Sequence, residues 1–266
     1  MSRAASALIA LVLAALALVA TTTPSVAREI ACRFEAGVIV VPASVAGIAG
    51  DYIFDTGSPQ TLLHETRAGA EGLTGSEVLG GVRIAGLVLP PRRIGIADLD
   101  VRTWNLATPV IGVVGADALQ GLVVDVAFSP CKVRLARPAE ATAFKGVPLP
   151  VTWSSGRPLV EAVVSDGVHQ LTGPFILATG ANAPIRIADD LASIPGASQP
   201  AELYPEGVWL ARLPSLRLAD RTFTDVGSGL TPPEGDSAGV IGGAILANFR
   251  LRFDFAGGRV LIAPGR

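Results

Sequence analysis

The sequence predicts an all-β chain written twice. Three observations carry that reading. Short apolar runs of Val, Ile, Leu and Phe are punctuated by turn residues, helical periodicity is scarce, and two blocks of sequence recur in the same order. "YIFDTGSPQTLL" (52–63) aligns without a gap with "FILATGANAPIR" (175–186). "GVVGADALQGLVVDVAFSPCKVRLA" (112–136) aligns likewise with "GVIGGAILANFRLRFDFAGGRVLIA" (239–263). Chance could supply one block. Two in order, at nearly equal offsets, argue for duplication.

The elements follow in chain order. Residues 1–27 read as an export signal: Arg3 gives a positive start, Ala4–Ala20 is apolar, and "TTTPSVA" ends in small residues before Arg28. The alternative is an uncleaved membrane anchor, the only route by which this chain would meet a membrane. Either way the remainder faces an exported compartment, periplasmic or secreted. There the only two cysteines, Cys32 and Cys131, read as one disulfide, against the alternative of two buried thiols.

In the first half "VIVVPASV", "VRIAGLVL", "GLVVDVAF" and "KVRLA" read as strands; "LVEAVVS", "PSLRLA", "FRLRFDF" and "RVLIA" do so in the second. Helical turns fit "GADAL" and "GGAIL". The organisation is therefore a signal at 1–27, an N-terminal lobe at 28–137, a linker at 138–150 and a C-terminal lobe at 151–266.

Composition excludes several function classes. A net charge of −2 without a basic run argues against nucleic acid. With both cysteines read as bridged, His64 and His169 are the only imidazoles, and no metal-ligand set is expected. No sequence pattern of a serine-hydrolase elbow, a zinc protease or a phosphate-binding loop is present.

"IFDTGS" followed by "GVVGADAL", echoed by "LATGA" and "GVIGGAIL", resembles the aspartic peptidases of the pepsin and retropepsin type, over about residues 30–264. That resemblance implies two β-barrel lobes flanking a peptide-binding cleft, endopeptidase chemistry, and no cofactor. It makes Asp55 the catalytic acid and gives Thr56, Gly57, Ser58, Thr179 and Gly180 supporting roles. Thr56 and Thr179 would bond the opposite lobe's backbone, and Ser58 would donate to the outer oxygen of Asp55. Gly115 and Gly242 would mark segments threaded beneath the loops. The resemblance also places a flap over the cleft, at "EGLTGSEVLGG" (71–81). In the second lobe the bulkier "YPEGVWLARL" corresponds, with Trp209 as core or cleft wall.

The second acid is missing. Ala178 stands where the family places its other aspartate, and the chemistry needs two carboxylates about 3 Å apart sharing one proton. Three readings follow. The chain has weak or no activity and binds peptides in the cleft as a monomer; or two copies exchange lobes and bring two Asp55 residues together; or another carboxylate substitutes. For the last, Asp189 and Asp190 read more simply as a solvated turn. Asp98, Asp100 and Asp117 have no echo in the other half and read as surface or turn acids; Asp254 has none either, its counterpart being Ala127.

Overall fold

The computed structural model describes residues 28–188 and 210–265. The expected export signal, Asp189, Asp190 and Trp209 lie outside that range. Among the described residues no helix is long and apolar enough to cross a membrane.

Each lobe is a closed six-stranded barrel. In the first, β3 (Val38–Val45), β4 (Ile48–Phe54), β8 (Val110–Val114), β5 (Leu62–His64), β7 (Leu87–Ala97) and β6 (Glu77–Ile84) are neighbours in that order, and β3 pairs with β6 to close the ring. In the second, β13 (Arg157–Ser165), β14 (Gln170–Leu177), β18 (Gly239–Ile241), β15 (Ile185–Ala188), β17 (Arg221–Thr231) and β16 (Leu210–Leu218) do the same, closed by β13 and β16. The closing pairs are short, Val82–Ile84 of β6 against β3 and Ser215–Leu218 of β16 against β13. Two Ala-Gly pairs make tight hairpin turns, between β3 and β4 and between β6 and β7. Ala46-Gly47 and Ala85-Gly86 both take positive φ at two successive residues, which matches the right-handed twist of the flanking strands.

The barrels fill with aliphatic and aromatic side chains; Tyr52, Phe54, Phe175 and Phe253 are fully buried. Tyr52 donates its hydroxyl to Ile48 O at 2.7 Å, and burial pushes its pKa up to about 12. Two helices were not legible in the sequence: α1 (Glu65–Ala70), a short turn that buries only Ala68, and α2 (Asp100–Thr103).

A six-stranded sheet joins the lobes. Its order is β1 (Arg28–Ala31), β10 (Cys131–Ala136), β9 (Val123–Phe128), β19 (Phe249–Asp254), β20 (Arg259–Pro264) and β11 (Val147–Leu149). The 138–150 linker thus carries a strand of its own, paired with β20. At the seam Asp125 of β9 lies opposite Arg252 of β19, positions that match in the sequence repeat. The pair is bidentate, Arg252 Nε–Asp125 Oδ1 2.6 Å and Nη2–Oδ2 2.8 Å, and largely shielded from solvent.

Cys32 and Cys131 form the expected disulfide, with Cα atoms 5.0 Å apart across 99 residues of sequence. It ties the start of the first lobe to the last strand of that lobe. A Cys32→Ser/Cys131→Ser protein should lose up to about 4.7 kcal/mol by the chain-entropy argument. Guanidinium denaturation measures it; an unchanged midpoint would show that the bridge adds no stability.

Candidate functional site: a cleft with one aspartate

Two buried strands deliver the loops. β4 ends at Phe54 and presents Asp55; β14 ends at Leu177 and presents Ala178. Beneath them run the threaded strands in parallel, Phe54 beside Val114 and Leu177 beside Ile241. Asp55 N–H donates to Val114 O at 3.0 Å, and Ala178 N–H to Ile241 O at 2.9 Å. Gly115 and Gly242 are required at the crossing. A Cβ on Gly115 would lie 2.5 Å from Gln60 O, and one on Gly242 would lie 2.6 Å from Ala181 O. The short helices α3 (Ala116–Leu119) and α4 (Gly243–Leu246) follow, where helical turns were expected.

The loops lock reciprocally. Thr56 Oγ1 donates to Leu177 O and Thr179 Oγ1 to Phe54 O, both at 2.7 Å. Each hydroxyl also accepts the other threonine's backbone N–H, at 3.2 and 3.3 Å. Both threonines are fully buried.

Asp55 is 4% exposed. Its Oδ1 accepts Gly57 N–H at 2.8 Å and Gly180 N–H at 3.2 Å, so both loops hold the inner oxygen. Its Oδ2 faces a residue that the sequence reading passed over: Arg102 Nη2, at 2.5 Å. The same nitrogen lies 3.3 Å from Gly180 O. Arg102 sits on α2 (Asp100–Thr103), anchored by buried Leu99 among Val38, Val40, Ile53, Val110 and Val113.

Several expectations change. Ser58 does not donate to Asp55; its hydroxyl bonds Gln60 O at 2.9 Å, and the outer oxygen belongs to Arg102. Residues 71–81 do not cover the cleft. Six residues of turn and bend separate α1 from β6, too few for a hairpin, and Glu77–Gly81 are part of β6. The segment over the cleft is α2, whose Val101 and Arg102 line it.

Asp117 and Asp254 are not surface acids. Asp254 is buried, accepting Gly257 N–H and two Arg259 nitrogens. Asp117 accepts Thr61 Oγ1–H at 2.7 Å, and that hydroxyl accepts Gly115 N–H at 3.2 Å, so the acid braces the first loop. His64, Asp98 and Asp100 do come together, with ligand atoms within 4.8 Å of one another. They are engaged with each other: His64 Nε2 meets Asp100 Oδ1 at 2.9 Å, and Asp98 Oδ1 accepts Asp100 N–H. Together they tether α2.

The cleft is a cavity of about 240 Å³ bounded by both loops, Val101 and Arg102 on one side, and Asn182, Arg186, Thr231 and Glu234 on the other. Arg186 lies opposite Val240 as Leu62 lies opposite Val113 in the first lobe. The second loop is therefore one residue longer than the ungapped alignment implied, and a cation replaces a leucine.

Neither protein-family models nor curated proteins match this chain. Solved structures do. The chain is similar to the crystal structure of aspartic proteinase from Irpex lacteus, with a TM-score of 0.51 and 15% sequence identity, over 90% of this chain and 98% of that one. The fold is that of the aspartic proteinases. A pepsin-like two-lobed frame thus surrounds a loop pair that presents Ala178 and an Asp55 bonded to Arg102.

Two outcomes are expected. Thr179→Val leaves Phe54 O and Thr56 N–H without their partner and should cost about 1–3 kcal/mol in urea denaturation, while Thr179→Ser should lose much less. Burial raises the Asp117 pKa from 3.8, against the lowering effect of the Thr61 hydroxyl. The folded state then holds this proton more firmly than the unfolded chain. Asp117 therefore withdraws stability as pH climbs from 3.8 towards the raised value. Asp117→Asn should flatten that decline in a plot of stability against pH.

Proposed function

We propose that this protein binds peptides in the inter-lobe cleft of an exported aspartic-proteinase fold and does not hydrolyse them as a monomer. The observation that carries the reading is the Arg102 Nη2–Asp55 Oδ2 contact at 2.5 Å, with Ala178 opposite. Peptide hydrolysis on this frame requires one carboxylate to take a proton from water and a second, protonated, to donate to the substrate carbonyl. Ala178 has no proton to give. On Asp55 the outer oxygen, where an attacking water would have to sit, is covered by a guanidinium.

Binding has separate support. Val101 and Trp104 lie three residues apart along the α2 segment and are 77% and 76% exposed. Large apolar side chains left in water at the rim of a cleft suit contact with a partner chain. The disulfide suits an oxidising compartment. The lobe-exchanged dimer is disfavoured at the seam. Bringing two first lobes together would set Asp125 against Asp125 where it now meets Arg252, and like charges directly opposite destabilise a strand pair.

The test is one unstructured peptide mixture between pH 3 and 7, with wild type, Asp55→Asn and Ala178→Asp/Arg102→Ala. Wild type and Asp55→Asn should be equally silent. The double substitution restores the second acid and frees the first, and should raise acid-pH cleavage by at least about 10²-fold. Cleavage by wild type that vanishes in Asp55→Asn would overturn the reading.

A further inference from the structure

Four ionised groups line or touch the cavity, and three of them have a charged partner. Asp55 is paired with Arg102. Glu234 is paired with Arg157, a buried cation behind the cleft wall. Arg186 has no charged partner among the described residues. It is half-buried, and its one bond among the described residues is Nη2 to Asn182 Oδ1 at 2.8 Å. Burial, and then the positive charge of Arg102, push its pKa below the ordinary arginine value. A guanidinium offers five N–H donors. Both Arg102 and Arg186 spend only Nη2 on the bonds described here, so each keeps donors for a ligand.

We propose that the cleft selects peptides carrying a carboxylate, which seats between Arg186 and Arg102 above Ala178. This rests on the peptide-binding reading and names its ligand class. The chemistry is specific. Arginine pairs with carboxylate through two parallel N–H···O bonds, and the apolar walls Ile176, Ala178 and Val240 strengthen that attraction by excluding water. A ligand carboxylate supplies the negative charge that Arg186 lacks among the described residues. At Ala178 it also occupies the side of the cleft where a second aspartate would otherwise repel it. Loss of that acid and gain of Arg186 in place of a leucine act in the same direction: a site for a shared proton has become a site for an anion.

The carboxylate could be a peptide C-terminus or an Asp/Glu side chain, and three matched labelled peptides distinguish them. One has an internal Glu and an amidated end, one an internal Gln and a free end, and one an internal Gln and an amidated end. Fluorescence anisotropy against wild type and Arg186→Gln reads the affinities, with thermal melts as a check on folding. At least one acidic peptide should bind wild type about tenfold or more tighter than the uncharged one, the effect of a single charge-assisted pair. Arg186→Gln should abolish that preference without lowering Tm, since it removes a cation that has no charged partner among the described residues. The arm that shows the preference identifies the source. Equal binding of all three to wild type would overturn the carboxylate inference and leave peptide binding standing. Binding of none would overturn both, and cleavage of any would overturn the non-hydrolytic reading. The wild-type comparison decides the matter by itself if Arg186→Gln is unstable.

Discussion

The rest of the structure depends on the reciprocal bonds between Thr56 and Thr179. Each strand that delivers a loop ends in a buried residue, Phe54 or Leu177, whose carbonyl needs a donor at the lobe interface. The other lobe's hydroxyl satisfies it. An unpaired buried carbonyl costs about 1–3 kcal/mol, so separating the lobes exposes a double deficit at the centre of the molecule. The seam sheet, with Asp125 against Arg252, fixes the same relation from below. Together they explain how the loop geometry survives the loss of an acid. The alanine loop is held by Thr179 and by the Ala178 N–H bond to Ile241, and neither needs the carboxylate.

Backbone architecture and side-chain chemistry are separable for that reason. Gly57, Gly180, Gly115 and Gly242 serve backbone approach, and all remain where a Cβ would collide. The side chains that would move protons do not remain as a pair. Arg102 reaches Asp55 because α2 is braced twice, by Leu99 in an apolar cluster and by the contacts among His64, Asp98 and Asp100. The cleft holds the Asp55–Arg102 ion pair and Arg186, which has no charged partner among the described residues. That arrangement is electrostatic, and it leaves the backbone frame unaltered.

Much of this was legible in the sequence, for identifiable reasons. The duplication exposed Asp55, both threonines and the threaded glycines, because backbone constraints leave the same residue at the same place in both halves. Cys32 and Cys131 were legible by number alone. Arg102 was not, since it lies in a variable stretch with no echo and reaches its partner through tertiary packing. The charges at Asp125 and Arg252 share one column of the repeat, a signal that opposite signs at equivalent positions meet on the symmetry axis. Arg186 also left a trace, a charge between two isoleucines in a strand whose counterpart in the first half is apolar. The flap was misplaced because 71–76 is too short to form a hairpin, a limit that only the bounds of α1 and β6 reveal.

The central claim is that this cleft has lost stabilisation of the hydrolytic transition state while keeping its shape. The most direct measurement compares wild-type affinity for a statine-type transition-state mimic with that for the unmodified peptide of the same sequence. A hydrolytic site prefers the mimic by at least about 10²-fold. The account predicts affinities within a few-fold of each other. A preference of 10²-fold or more would contradict it, because Asp55 would then be doing with Arg102 what a pair of acids does.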